Sequence, residues 1–68
     1  MDKALLKYEM DRRNVSVDDL CKSIGISRSA FYRKIGGKTE FTRSEMQSIV
    51  DLLHLDSPVP IFFGKEVS

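Results

Sequence analysis

Apolar residues recur along this chain at intervals of three and four positions, the spacing that places them on one face of an α-helix. The interval is most regular towards the C-terminal half, at Met46, Ile49, Val50 and Leu53, which occupy positions i, i+3, i+4 and i+7. We therefore predict a helix there, with these four side chains in the core. The facing core residues are expected to be Leu20, Ile24, Ile26, Phe31 and Ile35.

Two short helices separated by a tight turn are predicted in the middle of the chain. Ser16 can cap the first of them, and Gly25 follows Ile24 at a position where helices commonly end in a left-handed residue. Ser27 can cap the second, which is expected to span 27–35. Two helices joined by a Gly-containing turn form a helix-turn-helix, and the second helix of such a motif can lie in the major groove of DNA.

Further helices are predicted on both sides of this motif. Asp2 is expected to cap a first helix that ends near Asn14. Its apolar face would be formed by Leu5, Leu6, Tyr8 and Met10. After the motif, Thr42 and Glu45 have the spacing of a capping box, so the fourth helix should begin there and end near residues 54–56.

A short fifth helix is predicted near the end of the chain. Ser57 and Pro58 can open it, because proline is tolerated in a first helical turn, and Gly64 is expected to end it. The sequence contains no pattern typical of a strand, a repeat or a linker. We therefore predict one all-α domain over residues 1–68, a compact bundle of four helices plus a short fifth, with the helix-turn-helix at helices 2 and 3.

The stretch 18–31, DDLCKSIGISRSAF, resembles the core of lambda-repressor-like domains, which occur in phage Cro proteins, repressors and Xre-type regulators. The following FYRKIGGK and EFT resemble small phage-encoded members from Gram-positive hosts. This resemblance implies a DNA-binding regulator of transcription. A single domain is expected to have no room for an effector pocket, which favours a Cro-like role. Two positions depart from the family: Cys21 stands where alanine is most common, and Lys34 occupies a position that is usually apolar.

Positive charge is concentrated on the second motif helix, although the net charge of the chain is only +1. Residues 27–43 contain five basic residues and one acidic residue, whereas residues 44–68 contain one basic and four acidic residues. Such a basic segment favours contact with the phosphate backbone of nucleic acid. The alternative is a solvated helix face that has no partner.

Side chains near the start of a recognition helix contact base edges. The predicted base contacts are Arg28, Ser29, Tyr32 and Arg33, because arginine can pair with guanine O6 and N7 and the others can bond or pack in the groove. Tyr32 could instead lie half-buried against Arg28. The predicted phosphate contacts are Ser16, Ser27, Lys34, Lys38, Thr39 and Arg43. For Lys34, a solvated position on the side of the helix is the alternative.

No residue pattern indicates catalysis, a cofactor, a metal site or a small-molecule ligand, so an enzyme is not expected. The single histidine, His54, falls at a helix end, where a solvated or capping role is expected. The single cysteine, Cys21, is expected to be a small buried residue, the alternative being a reactive thiol. No apolar run is long enough for a membrane span and no signal-peptide pattern is present, so a cytoplasmic location is expected.

A module that binds protein, of the antitoxin or anti-repressor type, is the alternative function. It is suggested by the apolar run Ile61-Phe62-Phe63 near the C-terminus. One of the two phenylalanines is expected to close the core, leaving the other for a partner. A single recognition helix contacts little DNA, so we expect a weak homodimer on a double-stranded operator, formed through Phe62 or Phe63.

Overall fold

The computed structural model describes residues 1–63, in which all regular structure is helical. The α-helices are α1 (Lys3–Arg12), α2 (Val17–Ile24), α3 (Arg28–Ile35) and α4 (Arg43–Leu52), and a π-helical segment, the C-terminal turn, spans Val59–Phe63. The predicted all-α bundle of four helices plus a short fifth is therefore confirmed for this part of the chain. The predicted end of the fifth helix at Gly64 lies outside the described residues.

The four α-helices begin at the caps predicted from the sequence. The capping side chains are Asp2, Ser16, Ser27 and Thr42, and each accepts a hydrogen bond from a backbone N–H of the first helical turn. At Ser16 and Thr42 the bond is reciprocal, since the carboxylates of Asp19 and Glu45 accept from the backbone N–H of the cap. These bonds satisfy N–H groups that a helix start leaves without partners, which fixes where each helix begins.

The four α-helices also end alike. Each is followed by a residue with a positive φ, and the next backbone N–H donates to a carbonyl five positions earlier. The left-handed residues are Asn14, Gly25, Gly37 and His54. Glycine adopts this conformation freely, whereas it costs other residues ~1–2 kcal/mol. The two motif helices thus end at glycine. The two flanking helices end at Asn14, a residue type that tolerates this conformation, and at His54, which bears the cost.

The core is centred on the contact between α2 and α4, the most extensive helix pair among the described elements. Leu20 of α2 packs there with Ile49 of α4 and Leu53 at its end, all three fully buried. Phe31 and Val50 are also buried, as predicted. The remaining predicted core residues are half-buried and pack against this cluster: Ile24, Ile26, Ile35 and Met46.

The predicted apolar face of α1 is wrong at one position. Leu6 and Met10 are buried and Leu5 is half-buried, but Tyr8 is 56% exposed. Its ring lies on the solvent side of α1, where the guanidinium of Arg12 is 5.8 Å from the ring centroid. Residues 6 and 10 are one helical turn apart, so a side chain midway between them points to the opposite face.

A series of aromatic contacts connects α3 to the C-terminal turn. Phe31 packs edge to face against Phe41, with ring centroids 6.3 Å apart, and Phe41 packs in the same way against Phe62 at 5.5 Å. Phe62 is buried, whereas Phe63 is 61% exposed. The expectation that one of the two closes the core is confirmed, and the residue is Phe62.

Candidate nucleic-acid interface

The turn between α2 and α3 is closed by backbone hydrogen bonds to a single carbonyl. The N–H groups of Gly25 and Ile26 both donate to the carbonyl of Cys21, at 2.8 and 3.1 Å. The Cys21 thiol is buried and lies 3.8 Å from the carbonyl of Ser27, to which it can donate. Burial raises the pKa of this thiol, and the nearby Asp18 carboxylate adds to that effect. The predicted small buried residue is confirmed, and it packs where α3 begins.

The outer face of α3 is open to solvent. All four residues predicted to contact bases are exposed there: Arg28, Ser29, Tyr32 and Arg33. The last three line one shallow hollow together with Gly36 and Lys38. Tyr32 is 51% exposed, and its ring packs edge to face against Phe31, with centroids 5.4 Å apart. The fold thus brings three predicted base contacts beside one predicted phosphate contact.

Arg28 has a partner within the motif that sequence analysis missed. Its Nε lies 3.4 Å from Oδ1 of Asp18 at the start of α2, and both side chains are 63% exposed. An ion pair this exposed contributes little to stability. It does restrain the arginine, while the terminal N–H groups of the guanidinium stay available for an acceptor.

Lys34 lies against the protein and not on the solvated surface. Its Nζ is 3.1 Å from Oε1 of Glu45, donates to the carbonyl of Glu40 at 3.1 Å, and lies 5.7 Å from the centroid of the Phe41 ring. Its side chain is 14% exposed. The alternative of a solvated side chain is therefore wrong, because two oxygens and a ring replace water around the ammonium. The predicted phosphate contact would require Lys34 to leave these partners.

Glu45 takes part in both this ion pair and the cap of α4. Burial raises the pKa of its carboxyl, but a hydrogen bond from the backbone N–H of Thr42 and the charge and hydrogen bond of Lys34 outweigh burial. The net pKa lies below its ordinary value. Glu45 is therefore ionised at neutral pH, as its interaction with Lys34 requires.

Three basic residues of segment 27–43 form no ion pair with any side chain in the described part of the chain: Arg33, Lys38 and Arg43. All three are exposed, as is Thr39. Lys38 directly follows the left-handed Gly37, and its N–H donates to the carbonyl of Arg33 at 3.0 Å. Backbone geometry thus places Lys38 at the C-terminal end of α3, beside the outer face.

The two serine caps differ in their electrostatic surroundings. The Oγ atoms of Ser16 and Ser27 each accept a backbone N–H, at 3.0 and 3.1 Å. The hydroxyl proton of Ser27 is left to donate to a phosphate, whereas the side chain of Ser16 also bonds the carboxylate of Asp19. The first turn of α2 contains Asp18 and Asp19, whereas the first turn of α3 contains no acidic residue. Hydrogen bonds from the backbone and then the side chain of Ser16 lower the pKa of Asp19. Asp19 therefore carries a negative charge that repels an anion at the start of α2. Ser27 is the better placed of the two for a phosphate.

The C-terminal turn contains the residues considered for a dimer contact. Phe62 is buried, so it is not available for that role in this fold. Phe63 is exposed, and so is Val59 at the other end of the turn. Within residues 1–63, no helix has the length and apolar character of a membrane span, and no cluster of three potential ligands is placed to hold a metal ion.

A protein-family model described as a Cro/C1-type HTH DNA-binding domain matches residues 6–57 of this chain. The match begins within α1 and ends before the C-terminal turn, and it includes every residue discussed above as a base or phosphate contact. No curated protein and no solved structure matches the chain.

Proposed function

The chain belongs to the Cro/C1-type helix-turn-helix DNA-binding domains, and from this premise we propose that it is a sequence-specific regulator of transcription. It binds a double-stranded operator, with α3 in the major groove, and acts as a Cro-like repressor of a phage or prophage.

The observation that supports this proposal is the chemistry of the exposed face of α3. Ser29, Tyr32 and Arg33 line one hollow with Lys38, and α3 contains no acidic residue. Arginine, serine and tyrosine can all reach groove edges, and a lysine at the end of the helix can reach the backbone. A face that served only to remain solvated would not need to exclude acidic residues from α3 itself.

The contacts divide into two sets. We assign base contacts to Arg28, Ser29, Tyr32 and Arg33, and phosphate contacts to Ser27, Lys38, Thr39 and Arg43. Arg28 is the base contact whose position depends on another residue, because its Nε is paired with Asp18. The terminal nitrogens of Arg28 can then face guanine O6 and N7.

A second copy of the chain completes the proposed complex. Helix-turn-helix dimers place recognition helices about 34 Å apart on successive half-sites. Phe63 is the exposed aromatic residue of the C-terminal turn, and it would support a weak contact between copies. Sedimentation of the protein–operator complex should give two chains per operator, and Phe63→Ser should reduce that ratio to one.

Two experiments test the function. Selection of bound sites from random duplexes should give an operator and the spacing of its half-sites. Independently, a gel shift with an unrelated duplex at low salt should show binding that Arg43→Ala weakens and Arg12→Ala does not. Arg12 is the matched control, because it is exposed but lies with His54 and Pro60, away from α3. A protein-binding module would retain no duplex at low salt.

A further inference from the structure

Three groups surround the ammonium of Lys34, and all three come from beyond the end of α3. They are the carbonyl of Glu40, the ring of Phe41 and the carboxylate of Glu45. We call these residues, with Lys34 itself, the Lys34 cluster. At 14% and 15% exposure, Lys34 and Glu45 are much less solvated than Arg28 and Asp18, so this ion pair is screened less by water and salt.

The Lys34 cluster connects the end of α3 to the start of α4. Oε1 of Glu45 is 3.1 Å from the ammonium of Lys34 and also accepts the backbone N–H of Thr42, at 2.9 Å. The bond from Lys34 to the carbonyl of Glu40 holds the loop between these helices at a second point. That loop contains Lys38, and it leads directly to Arg43 at the first position of α4.

We propose that Lys34 and Glu45 are positioning residues for DNA binding: their ion pair holds the phosphate contacts Lys38 and Arg43 in register with α3, and neither touches DNA itself. This inference rests on the proposed function. The proposed role also explains why Lys34, which lies in a basic segment, has its charge neutralised by Glu45 within the protein. As a phosphate contact Lys34 would have to leave two oxygens and a ring, whereas in place it restrains both ends of the loop.

The proposal can be separated from simple electrostatics by the direction of two effects. Removing the positive charge of Lys34 should weaken binding to DNA in either case. Removing the negative charge of Glu45 should strengthen binding if only charge matters, because it lowers repulsion and releases a cation. If the ion pair positions the loop, the same change should weaken binding.

The experiment measures the affinity of the full chain for its selected operator by fluorescence anisotropy, with Lys34→Met and Glu45→Gln. Methionine removes the charge but has a side chain of similar length that can pack on the ring of Phe41, and glutamine keeps an oxygen for the N–H of Thr42. We expect both variants to bind on the order of threefold to tenfold more weakly. The double variant should lose no more than Lys34→Met alone, and Lys34→Arg should restore most of the affinity.

Matched controls remove one charge of each sign at positions outside the Lys34 cluster. Arg12→Met removes a positive charge far from α3, and Asp51→Asn removes a negative charge from the exposed side of α4. Asp51 accepts a hydrogen bond from Gln47, and asparagine can still accept it. Neither control should weaken binding by more than about twofold. Circular dichroism at the assay temperature establishes that each variant is folded, and if Lys34→Met is not, Glu45→Gln and Lys34→Arg carry the test.

A further measurement excludes a purely stabilising role. Lys38→Ala should change the salt dependence of binding less in the Lys34→Met background than in the wild-type chain. In that background the loop no longer holds Lys38 against the phosphate backbone of the DNA. Stronger binding by Glu45→Gln, or an undiminished effect of Lys38→Ala, would overturn the inference while leaving the proposed function intact. If the wild-type chain binds no duplex, the proposed function fails and this inference fails with it.

Discussion

The two helices on either side of the 36–42 loop, α3 and α4, both begin at a capping hydroxyl, with a reciprocal bond only at α4, but they contribute differently to the molecule. α4 has two buried residues, Ile49 and Val50, and it packs against α2 as the centre of the core. α3 has one buried residue, Phe31, and leaves its other face exposed. α4 is thus a helix that the fold needs for stability, and α3 is a helix that the fold presents to solvent.

This difference implies that substitutions in α4 and substitutions in α3 should affect different properties of the protein. Substitutions on the inner side of α4 should alter the free energy of unfolding, and binding should fail only as a consequence. Substitutions on the outer side of α3 should alter affinity for DNA while leaving the free energy of unfolding unchanged. The predictions below test this separation, starting with the largest effect.

The largest effect is expected at Leu53, the residue that ends α4 and is fully buried. Leu53→Ala should lower the free energy of unfolding by ~2–5 kcal/mol, because it removes apolar contacts and leaves a cavity. In a domain of this size that is enough to unfold most of the population at ambient temperature. Urea unfolding followed by circular dichroism measures it.

Tyr8→Ala is the control for that measurement. Tyr8 was expected on the apolar face of the first helix and is exposed in the structure, so its replacement should cost less than about 1 kcal/mol, mostly the cation–π contact with Arg12. Equal losses for Leu53→Ala and Tyr8→Ala would mean that the core has been placed incorrectly.

The next effect belongs to the outer face of α3. Arg33→Ala should leave the thermal melt unchanged, since Arg33 is exposed and forms no ion pair among the described residues. On the preferred operator it should cost ~1–3 kcal/mol of binding free energy and relax discrimination at one base pair. Anisotropy titrations on the operator and on an unrelated duplex give both numbers.

Lys38→Ala is the comparison for Arg33→Ala. A lost phosphate contact should weaken binding to both duplexes equally and reduce the slope of log K against log salt by ~1. If the two variants behave alike on both duplexes, Arg33 is a backbone contact and the proposed recognition face is incorrect.

The core could be predicted from the sequence because it depends on local periodicity. The spacing of Ile49, Val50 and Leu53 allows only one shared helix face, and all three are buried. The same logic has two limits. It assigned Tyr8 to a ragged apolar face where the true face is narrower, and it could not decide between the adjacent Phe62 and Phe63, because the choice depends on where Phe41 lies.

The candidate site could be predicted only in part, because pairing between charged residues is a tertiary property. Helical spacing shows which side chains are near neighbours in one helix, but Lys34 meets Glu45 across a loop. Asp18 likewise meets Arg28 across the turn of the motif. The one available signal was that Lys34 stands beside Ile35 at a position that is usually apolar, which suggests a side chain directed towards the protein.

Caps provide the third test, because α3 and α4 both begin with a bond from a backbone N–H to a capping hydroxyl. The hydroxyls of Ser27 and Thr42 each accept a backbone N–H at 3.1 Å. Replacing either by alanine should cost ~1 kcal/mol of folding stability. Only Ser27→Ala should also weaken DNA binding by folded protein, since Ser27 is a proposed phosphate contact and Thr42 is not. Equal binding by the two variants would remove Ser27 from the interface.

The ends of α3 and α4 provide the fourth test. Gly37 and His54 both follow a helix end with positive φ, at 87° and 53°. Gly37→Ala should destabilise the fold by about 1 kcal/mol, although no atom lies within 4 Å of the added carbon, because the conformation itself is unfavourable. His54→Gly should stabilise it by ~0.5–1 kcal/mol, since glycine removes that cost but gains entropy when unfolded. Thermal melts of both variants should therefore shift in opposite directions.

The smallest effect concerns the residue that joins the two helices. The pKa of Glu45 is below its ordinary value of 4.5 in the folded protein, despite burial, because of Thr42 and Lys34. A carboxyl with a lowered folded pKa adds stability that is present above its unfolded pKa and is lost as the pH falls through the folded value. The free energy of unfolding should therefore decline below about pH 4.5 more steeply in the wild type than in Glu45→Gln.

Urea unfolding of both proteins between about pH 6 and pH 3 measures this difference, and the other carboxylates cancel when the two curves are subtracted. Asp19 is the carboxylate to compare with Glu45. Its pKa is also lowered by hydrogen bonds from Ser16, although it lies at the exposed start of α2. Asp19→Asn therefore gives the matching curve for a capping box whose carboxylate has no ion-paired lysine, only the more distant charge of Lys22. If the ion pair with Lys34 is what distinguishes the two boxes, Lys34→Met should reduce the difference at Glu45 and leave the curve for Asp19 unchanged. Equal responses at both positions would mean that the connection between α3 and α4 contributes nothing to the pKa of Glu45.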